Sequence, residues 1–290
     1  MRVSVILPAK NEAEGLRRTL PALRRLMPEA EIIVVDDGST DATAAVAAEH
    51  GARILSSPYP MGNGAAVKRG ARAAEGDVLV FMDADGQHDP AHIALLLEKV
   101  AAGFDMAVGA RRAGGQANVG RGAANAFYNR LASWMTGHRV EDLTSGFRAV
   151  RAERFREFLH LLPNGFSYPT TSTMAFFRSA YPVAYVPIEV SRRIGRSHIR
   201  PLRDGVRFLI IIFRIATLYS PLKLFAPAAV AFGTLGVAYY AWSFAKYGRF
   251  TNMSALLISA AVIVFLIGLV SEQITGLTYL SSRNDRDPRR

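Results

Sequence analysis

Through the first 190 residues, short continuous apolar runs alternate with longer stretches of helical spacing. Val3–Leu7 is a β-rich run stopped by Pro8. Glu14–Met27 then places Leu16, Leu20, Leu23 and Leu26 at the spacing of one helical face. Glu31–Val35 reads as a second buried strand and Asp41–His50 as an alanine-rich helix, followed by a strand near Arg53–Leu55 and a helix across Ala65–Ala74. Val78–Met82 and Met106–Val108 continue the strands, with helices at Pro90–Ala102 and Gly120–Trp134. Strands apolar on both faces and separated by helices predict an α/β fold whose mainly parallel sheet is covered on both sides.

The pattern changes near the C-terminus. Leu224–Phe244 is 21 residues without a charge and Met253–Ser271 is 19. A helix that crosses a bilayer needs about 20 apolar residues. Both runs are apolar all round, which sets them apart from buried core helices. Pro227 is expected in the first turn of the first span, and Tyr239, Tyr240 and Trp242 at an interfacial belt. Ala245–Asn252 can only be a tight connection, so both ends of the hairpin face one side. Residues 192–223 carry eight Lys/Arg against the single acid Asp204, and Arg283, Arg286, Arg289 and Arg290 follow the second span. The excess of positive charge predicts a multi-pass protein of the inner (cytoplasmic) membrane, with the catalytic domain and both termini cytoplasmic. Asp204–Tyr219 mixes Arg207 and Arg214 with an apolar run and reads as an amphipathic segment lying on the membrane. The expected organisation is a catalytic domain over 1–200, a juxtamembrane segment over 201–222, a two-helix hairpin over 223–275 and a basic tail over 276–290.

Composition sharpens this only in part. Half the residues are hydrophobic, the mean hydropathy is +0.14 and the net charge is +11. Such a balance calls for an anionic partner. Because much of the charge is juxtamembrane, anionic lipid or a phosphorylated substrate fits, and nucleic acid does not. The chain has no cysteine, which excludes disulfides and thiolate metal sites. Val3–Leu7 is too short to be the core of a signal peptide.

In open α/β sheets, ligands bind beyond the carboxyl ends of the strands. Polar residues recur there: Asn11 and Glu12, then Asp36, Asp37, Gly38 and Ser39, then Asp83, Asp85, Gln87 and His88, then Arg111. Any one of these can be a turn or a helix cap. In an extended chain Asp83, Asp85 and Gln87 point to one side. Three hard oxygen ligands suit Mg²⁺ or Mn²⁺ held together with substrate phosphates. His88 reads as a structural or metal-supporting residue rather than a base.

These residues carry a resemblance. Val5–Glu12 (Val-Ile-Leu-Pro-Ala-Lys-Asn-Glu), Val34–Asp41 (Val-Val-Asp-Asp-Gly-Ser-Thr-Asp), Gly62–Gly64, Asp83–His88, Gly109–Arg111, Asp142–Arg148 (Asp-Leu-Thr-Ser-Gly-Phe-Arg) and Arg192–Ser197 stand in the order found in glycosyltransferase family 2. Within it, the chain resembles the dolichyl- and polyprenyl-phosphate hexose transferases. The resemblance implies a GT-A fold, with Pro8, Ala9, Asn11, Glu12 and Asp37 lining the nucleotide-sugar pocket and Asp37 meeting the base. It implies that Asp83, Asp85 and Gln87 hold the metal and diphosphate. It places Arg111 and Arg192 on donor or acceptor phosphate, Arg121 and Arg148 on the acceptor side, and Ser197 in a loop that closes the site, with Asp85, Arg111 and Arg192 central to catalysis. Two departures stand out. His198 replaces a lysine common in such proteins, and Ser167–Thr173 lacks the acid many of them carry there.

The implied reaction is inverting transfer of a hexose from a nucleotide sugar to a polyprenyl phosphate. An acceptor phosphate is already anionic near neutral pH and needs no strong base. The alternatives are a membrane glycosyltransferase using a hydroxyl acceptor, or a scaffold without catalysis. Two spans are too few for a polymer channel, and their small membrane footprint leaves a homo-oligomer open.

Overall fold

The structure, a computed structural model, describes residues 1–111, 119–165, 167–189 and 219–284 together with 213 and 217, and of 119–125 and 280–284 the backbone alone. The chain folds as two compact units, Met1–Arg200 and Pro201–Arg290.

The first unit follows the alternating pattern. Its elements are β1 (Val3–Ala9), α1 (Ala13–Leu26), β2 (Glu31–Asp36), α2 (Thr43–Glu49), β3 (Arg53–Ser56), α3 (Asn63–Ala73), β4 (Val78–Phe81), α4 (His92–Ala101), β5 (Met106–Arg111), α5 (Val119–Thr136), β6 (Arg148–Arg151), α6 (Ala152–Glu157), α7 (Tyr168–Arg178) and β7 (Val183–Ile188). The seven strands lie in the order β3-β2-β1-β4-β6-β5-β7. Val5, Leu7, Val34 and Val80 are fully buried, as are Leu16, Leu20 and Leu23 of α1, so the α1 leucine face covers one side of the sheet.

The sheet differs from the expected one at β6. It pairs antiparallel with both β4 and β5, whereas every other pairing is parallel. Its sequence, Arg-Ala-Val-Arg, hides the strand, because its buried arginine breaks the apolar run. β7 carries Pro187 on the edge of the sheet, where proline is tolerated.

The topology brings α1 against the turn after β4. A Cβ placed on Gly15 would lie 2.1 Å from the Ala84 carbonyl oxygen. Only a residue without a side chain lets the first turns of α1 approach the Asp83–Asp85 backbone this closely.

The second unit is an antiparallel pair, α8 (Pro221–Tyr247) and α9 (Asn252–Asn284). Pro221–Tyr247 and Asn252–Tyr279 are long and apolar enough to cross a membrane. Only 11% and 17% of their most apolar windows are buried, which separates them from core helices. Both helices run beyond the expected spans. α8 starts at Pro221 in the first helical position, so Pro227 lies inside the helix rather than in its first turn. It ends where Gly248 takes a φ of 65° and donates to the Phe244 carbonyl 2.8 Å away. Near that turn Trp242 packs at a tilt against Tyr239 and edge to ring against Tyr247, and the Lys246 ammonium lies 5.2 Å from the Trp242 ring.

Small residues at seven-residue intervals form the helix contact: Ala229, Gly236 and Ser243 on α8, Ser254, Ala261, Gly268 and Thr275 on α9. In lipid no hydrophobic force holds two helices together, so close backbone approach through small side chains supplies the attraction. At one end, Glu272 of α9 accepts from the Ser220 hydroxyl at 3.3 Å and the Leu222 N–H at 3.2 Å, capping α8 across the pair. A Cβ on Gly236 would stand 2.9 Å from Ile258 Cγ1. Gly236→Leu therefore should lower the melting temperature of the full chain in detergent by about 2–12 °C, from an overpacking cost of about 1–3 kcal/mol at about 2–4 °C for each kcal/mol. An unchanged melting temperature would show that the helices do not pack through this position.

Candidate functional site

The β1–α1 and β2–α2 loops lock together at the carboxyl edge of the sheet. Asn11 takes a φ of 56°, donates its N–H to the Ser39 hydroxyl oxygen at 2.9 Å, and accepts the Thr40 N–H on its side-chain oxygen at 2.8 Å. The Glu12 N–H reaches the Thr43 hydroxyl at 3.0 Å, and the Ala13 N–H reaches Asp41 at 3.2 Å. Asp36 accepts the Ser39 N–H at 2.9 Å. Pro8 and Ala9 end the buried β1 beside Val35 and Asp36. Asp37 is buried and accepts the N–H groups of Met61 at 2.7 Å and Gly62 at 2.8 Å. It thereby holds the turn before α3. The first N–H groups of α3, from Gly64 and Ala65, donate to the carbonyls of Gly165 and Asn164, so they are already engaged.

The acidic turn departs from the extended geometry expected of it. β4 ends at Phe81, and the chain bends through 84–86 with Gly86 at a φ of 72°. The Gln87 N–H closes the bend on Asp85 Oδ1 at 3.1 Å. The period-two argument for Asp83, Asp85 and Gln87 therefore does not apply, because these residues are in a turn and not in a strand. Asp83 keeps a side chain 42% exposed, 3.8 Å from His88 Nε2. His88 is buried and stacks on Phe147, with ring centres 4.9 Å apart. Among the described residues, no three His, Cys, Asp or Glu side chains gather as a self-sufficient metal cage. Two carboxylates and an amide fit instead a hard divalent cation that takes its other ligands from a substrate.

Antiparallel β6 delivers a second segment to this edge. Its first residue, Arg148, lies opposite Phe81 of β4 and Val108 of β5, so residues 142–147 run across the carboxyl ends of both strands. Gly146 passes so close to Asp83 that a Cβ there would stand 3.2 Å from a carboxylate oxygen. Asp142, 7% exposed, forms a two-pronged pair with Arg111, at 2.8 Å from Nε and 3.0 Å from Nη2. It also accepts the N–H groups of Arg111, Thr144 and Ser145. Arg111 Nη2 donates further to the Thr144 hydroxyl at 2.6 Å. Burial pushes the Asp142 carboxyl upward, but the Arg111 hydrogen bonds and charge outweigh it and hold the group below the usual carboxylate range. The same pairing outweighs burial at Arg111 and raises its guanidinium, with Asp83 adding to the effect. Asp142 appears in the sequence only as part of a motif. Its position two residues before Thr144 and six before a buried arginine gives no signal of a partner on β5.

Arg148 is placed otherwise than expected. It has no exposed surface, so it cannot meet an acceptor phosphate. Its Nη1 donates to the Pro169 carbonyl at 3.0 Å and the hydroxyls of Ser172 and Thr173 at 2.8 and 3.2 Å, and its Nη2 to the Ser145 carbonyl. The hydroxyl-rich start of α7 thus serves the buried Arg148. Burial lowers its pKa from the ordinary arginine value, while Tyr168, Tyr185, Asp142 and Asp83 counteract that shift. Arg192, Ser197 and His198 lie outside the described residues, as does the side chain of Arg121.

Comparisons with known proteins identify the family and the fold. The family model "Glycosyl transferase family 2" matches residues 4–159, and "GtrB C-terminal hairpin" matches residues 220–277. An undecaprenyl-phosphate mannosyltransferase from Micrococcus luteus is 34% identical over 68% of this chain and 87% of its own length. A dolichol-phosphate mannosyltransferase from Pyrococcus furiosus is 38% identical over 57% of this chain and half of its own length. Among solved structures, glucosyl-3-phosphoglycerate synthase from Mycobacterium tuberculosis, bound to Mn²⁺, UDP and glucosyl-3-phosphoglycerate, superposes with a TM-score of 0.59 at 25% identity, covering 74% of this chain and 78% of that one. The first unit accordingly has a GT-A fold.

Removing Asp142 leaves Arg111, 33% exposed, without its acid. Asp142→Ala should cost about 3 kcal/mol of stability, the lower end for breaking a buried pair. The depressed carboxyl also sets a pH dependence: its contribution is complete above the unfolded carboxylate pKa of about 4 and is lost as pH falls through the lower folded value. Melting curves should show the wild type losing stability below about pH 4. Asp142→Asn should melt early at neutral pH and lose less on acidification; equal acid sensitivity in both proteins would overturn the assignment.

Proposed function

The chain belongs to glycosyl transferase family 2 and is a glycosyltransferase, and from this premise we propose that it transfers a hexose from a nucleotide sugar to a polyprenyl phosphate. The observation that carries the reading is the juxtaposition of the acidic turn after β4 with the arginine that ends β5, bridged by 142–147, in a chain that also holds two membrane-length helices. The mannosyltransferase relatives, named for undecaprenyl and dolichol phosphate, support the acceptor class.

In this reading, the turn held by Asp37 and the interlocked Asn11–Thr40 loops shape the nucleotide pocket with Pro8, Ala9 and Glu12, and Asp37 faces the base. Asp83, Asp85 and Gln87 would hold Mg²⁺ or Mn²⁺, which, when bound, offsets negative charge on the departing diphosphate. Arg111, oriented by Asp142, faces phosphate. An oxygen of the acceptor phosphate forms the new bond to the anomeric carbon on the side opposite the leaving group. The bond from that carbon to the donor's diphosphate oxygen breaks, a nucleoside diphosphate departs, and the configuration inverts. The acceptor monoester is already anionic near neutral pH, so the site's task is to orient two anions. A hydroxyl acceptor would need a base, and the candidate nearest Asp83, His88, is buried and stacked on Phe147. Arg192, Arg121 and Ser197 complete the acceptor side in this proposal. The protein would sit in the cytoplasmic membrane with its catalytic unit and both termini cytoplasmic.

The test is product formation by the purified full chain with undecaprenyl phosphate and, in parallel, labelled UDP-glucose, UDP-GlcNAc and GDP-mannose. One donor should yield labelled lipid, and chelation of divalent cations or Asp85→Ala should reduce the rate at least about a hundredfold. Transfer to a hydroxyl lipid instead would reassign the acceptor, and no product together with no donor binding would point to a scaffold.

A further inference from the structure

Helix α5 has two faces with different chemistry. Its inner face packs through Tyr128, Ala132 and Met135, all buried. It also organises the loop that carries Asp142. Asn129 donates from Nδ2 to the Glu141 carbonyl at 2.5 Å and accepts the Leu143 N–H at 3.0 Å, while Ser133 accepts the Val140 N–H at 2.9 Å. The segment pairing with Arg111 is therefore anchored on α5.

The outer face is apolar and basic. Phe127 is 59% exposed and Trp134 is 53% exposed. Arg130 lies between them, exposed and without an acidic partner among the described residues. The spacing of three and four residues puts all three on one side of the helix. Leaving a tryptophan and a phenylalanine in water forgoes the burial that these side chains ordinarily gain. An aromatic pair flanking a cation matches the layer between hydrocarbon and headgroups, where aromatic rings settle and arginine meets lipid phosphate. The chain's other tryptophan, Trp242, lies in the aromatic cluster of the hairpin.

We propose that the outer face of α5, through Phe127, Arg130 and Trp134, docks in the headgroup layer of an anionic bilayer. The inference deepens the proposed function, on which its kinetic consequence rests: docking through the outer face sets the Asp142–Arg111 segment, held by the inner face, at the level where a lipid-borne phosphate resides. The two membrane-length helices of the same chain keep a bilayer permanently at hand, so one aromatic-basic face suffices without high intrinsic affinity.

The test needs no catalysis. Trp242→Phe leaves Trp134 as the sole tryptophan of the full chain, which is reconstituted into bilayers containing phosphatidylglycerol, with or without acyl chains brominated near the headgroup. Trp134 emission should be blue-shifted, strongly quenched by the brominated lipid and little affected by aqueous acrylamide. Quenching by acrylamide alone would overturn the proposal by placing the face in water. Quenching by neither would overturn it as well, showing the face covered by protein, either residues 201–218 or a second copy. Where transfer is measurable, Arg130→Gln should raise the KM for the lipid acceptor about fivefold in anionic bilayers, the effect of one basic residue at such a surface, with kcat unchanged. An equal KM in both proteins would remove Arg130 from the docking face. Because the fluorescence result is independent of turnover, a failed docking face and a failed assignment of the reaction are told apart.

Discussion

One reversed strand organises the catalytic unit. A wholly parallel sheet would bring only the loops that follow its strands to the carboxyl edge. β6 runs the other way between β4 and β5, so the chain that precedes it arrives at that edge as well. The consequence is a bracket: residues 142–147 touch Asp83 through Gly146, support His88 through Phe147 and hold Arg111 through Asp142. The two oppositely charged halves of the site come from different strands, and the bracket gives them a common frame.

The charges in that frame constrain one another. Arg148 sits fully buried below the bracket with hydroxyl and carbonyl partners, and an isolated buried charge is costly unless hydrogen-bonded. The nearby charges of Asp142 and Asp83 offset part of that cost. Arg111 feels the same two acids from the other side. Asp142 is thus satisfied within the protein, whereas Asp83 remains partly exposed, and among the described residues its one ion-pair contact is His88 at 3.8 Å. The acid left open at the edge is the one suited to a ligand, and the acid closed within the frame is the one that positions an arginine.

Four of the first five strands and the helices between them were legible because buried parallel strands are continuous apolar runs; β3, partly exposed at the sheet edge, was legible from the alternation around it. So were the membrane-length helices, whose length and lack of charge have few other uses. β6 and the role of Arg148 were hidden for a shared reason: a buried arginine inside a four-residue strand looks polar and exposed in any hydropathy reading. The turn geometry of Asp83–Gln87 was hidden because period two applies only while the chain stays extended, and β4 ends at Phe81. The Asp142–Arg111 pair spans 31 residues of chain and depends on the sheet order, which alternation alone does not reveal. Asp37 illustrates a finer limit. Its motif resembles one that lines a nucleotide pocket, yet the contacts of its carboxylate close the turn before α3, a structural duty that composition and spacing do not distinguish from ligand contact.

The hairpin solves a different problem with the same economy of small residues. Gly15 and Gly146 let backbone approach an acidic turn; Gly236 and Gly268 let two helices approach each other. In the catalytic unit, water-excluded apolar surface supplies the cohesion and the glycines only remove obstacles. In a bilayer the hydrocarbon around α8 and α9 is as apolar as the helices, so the glycines and their small neighbours create the contact itself. The polar exceptions confirm the division. Glu272 engages the amide and hydroxyl groups at the start of α8, where a helix has unpaired donors, and Thr275 reaches the Thr217 carbonyl nearby. A carboxylate placed in mid-span would have met no such groups. Its position one residue past the apolar run that ends at Ser271 therefore follows from the electrostatics of the helix end, and the seven-residue pattern of small side chains continues the contact along the pair.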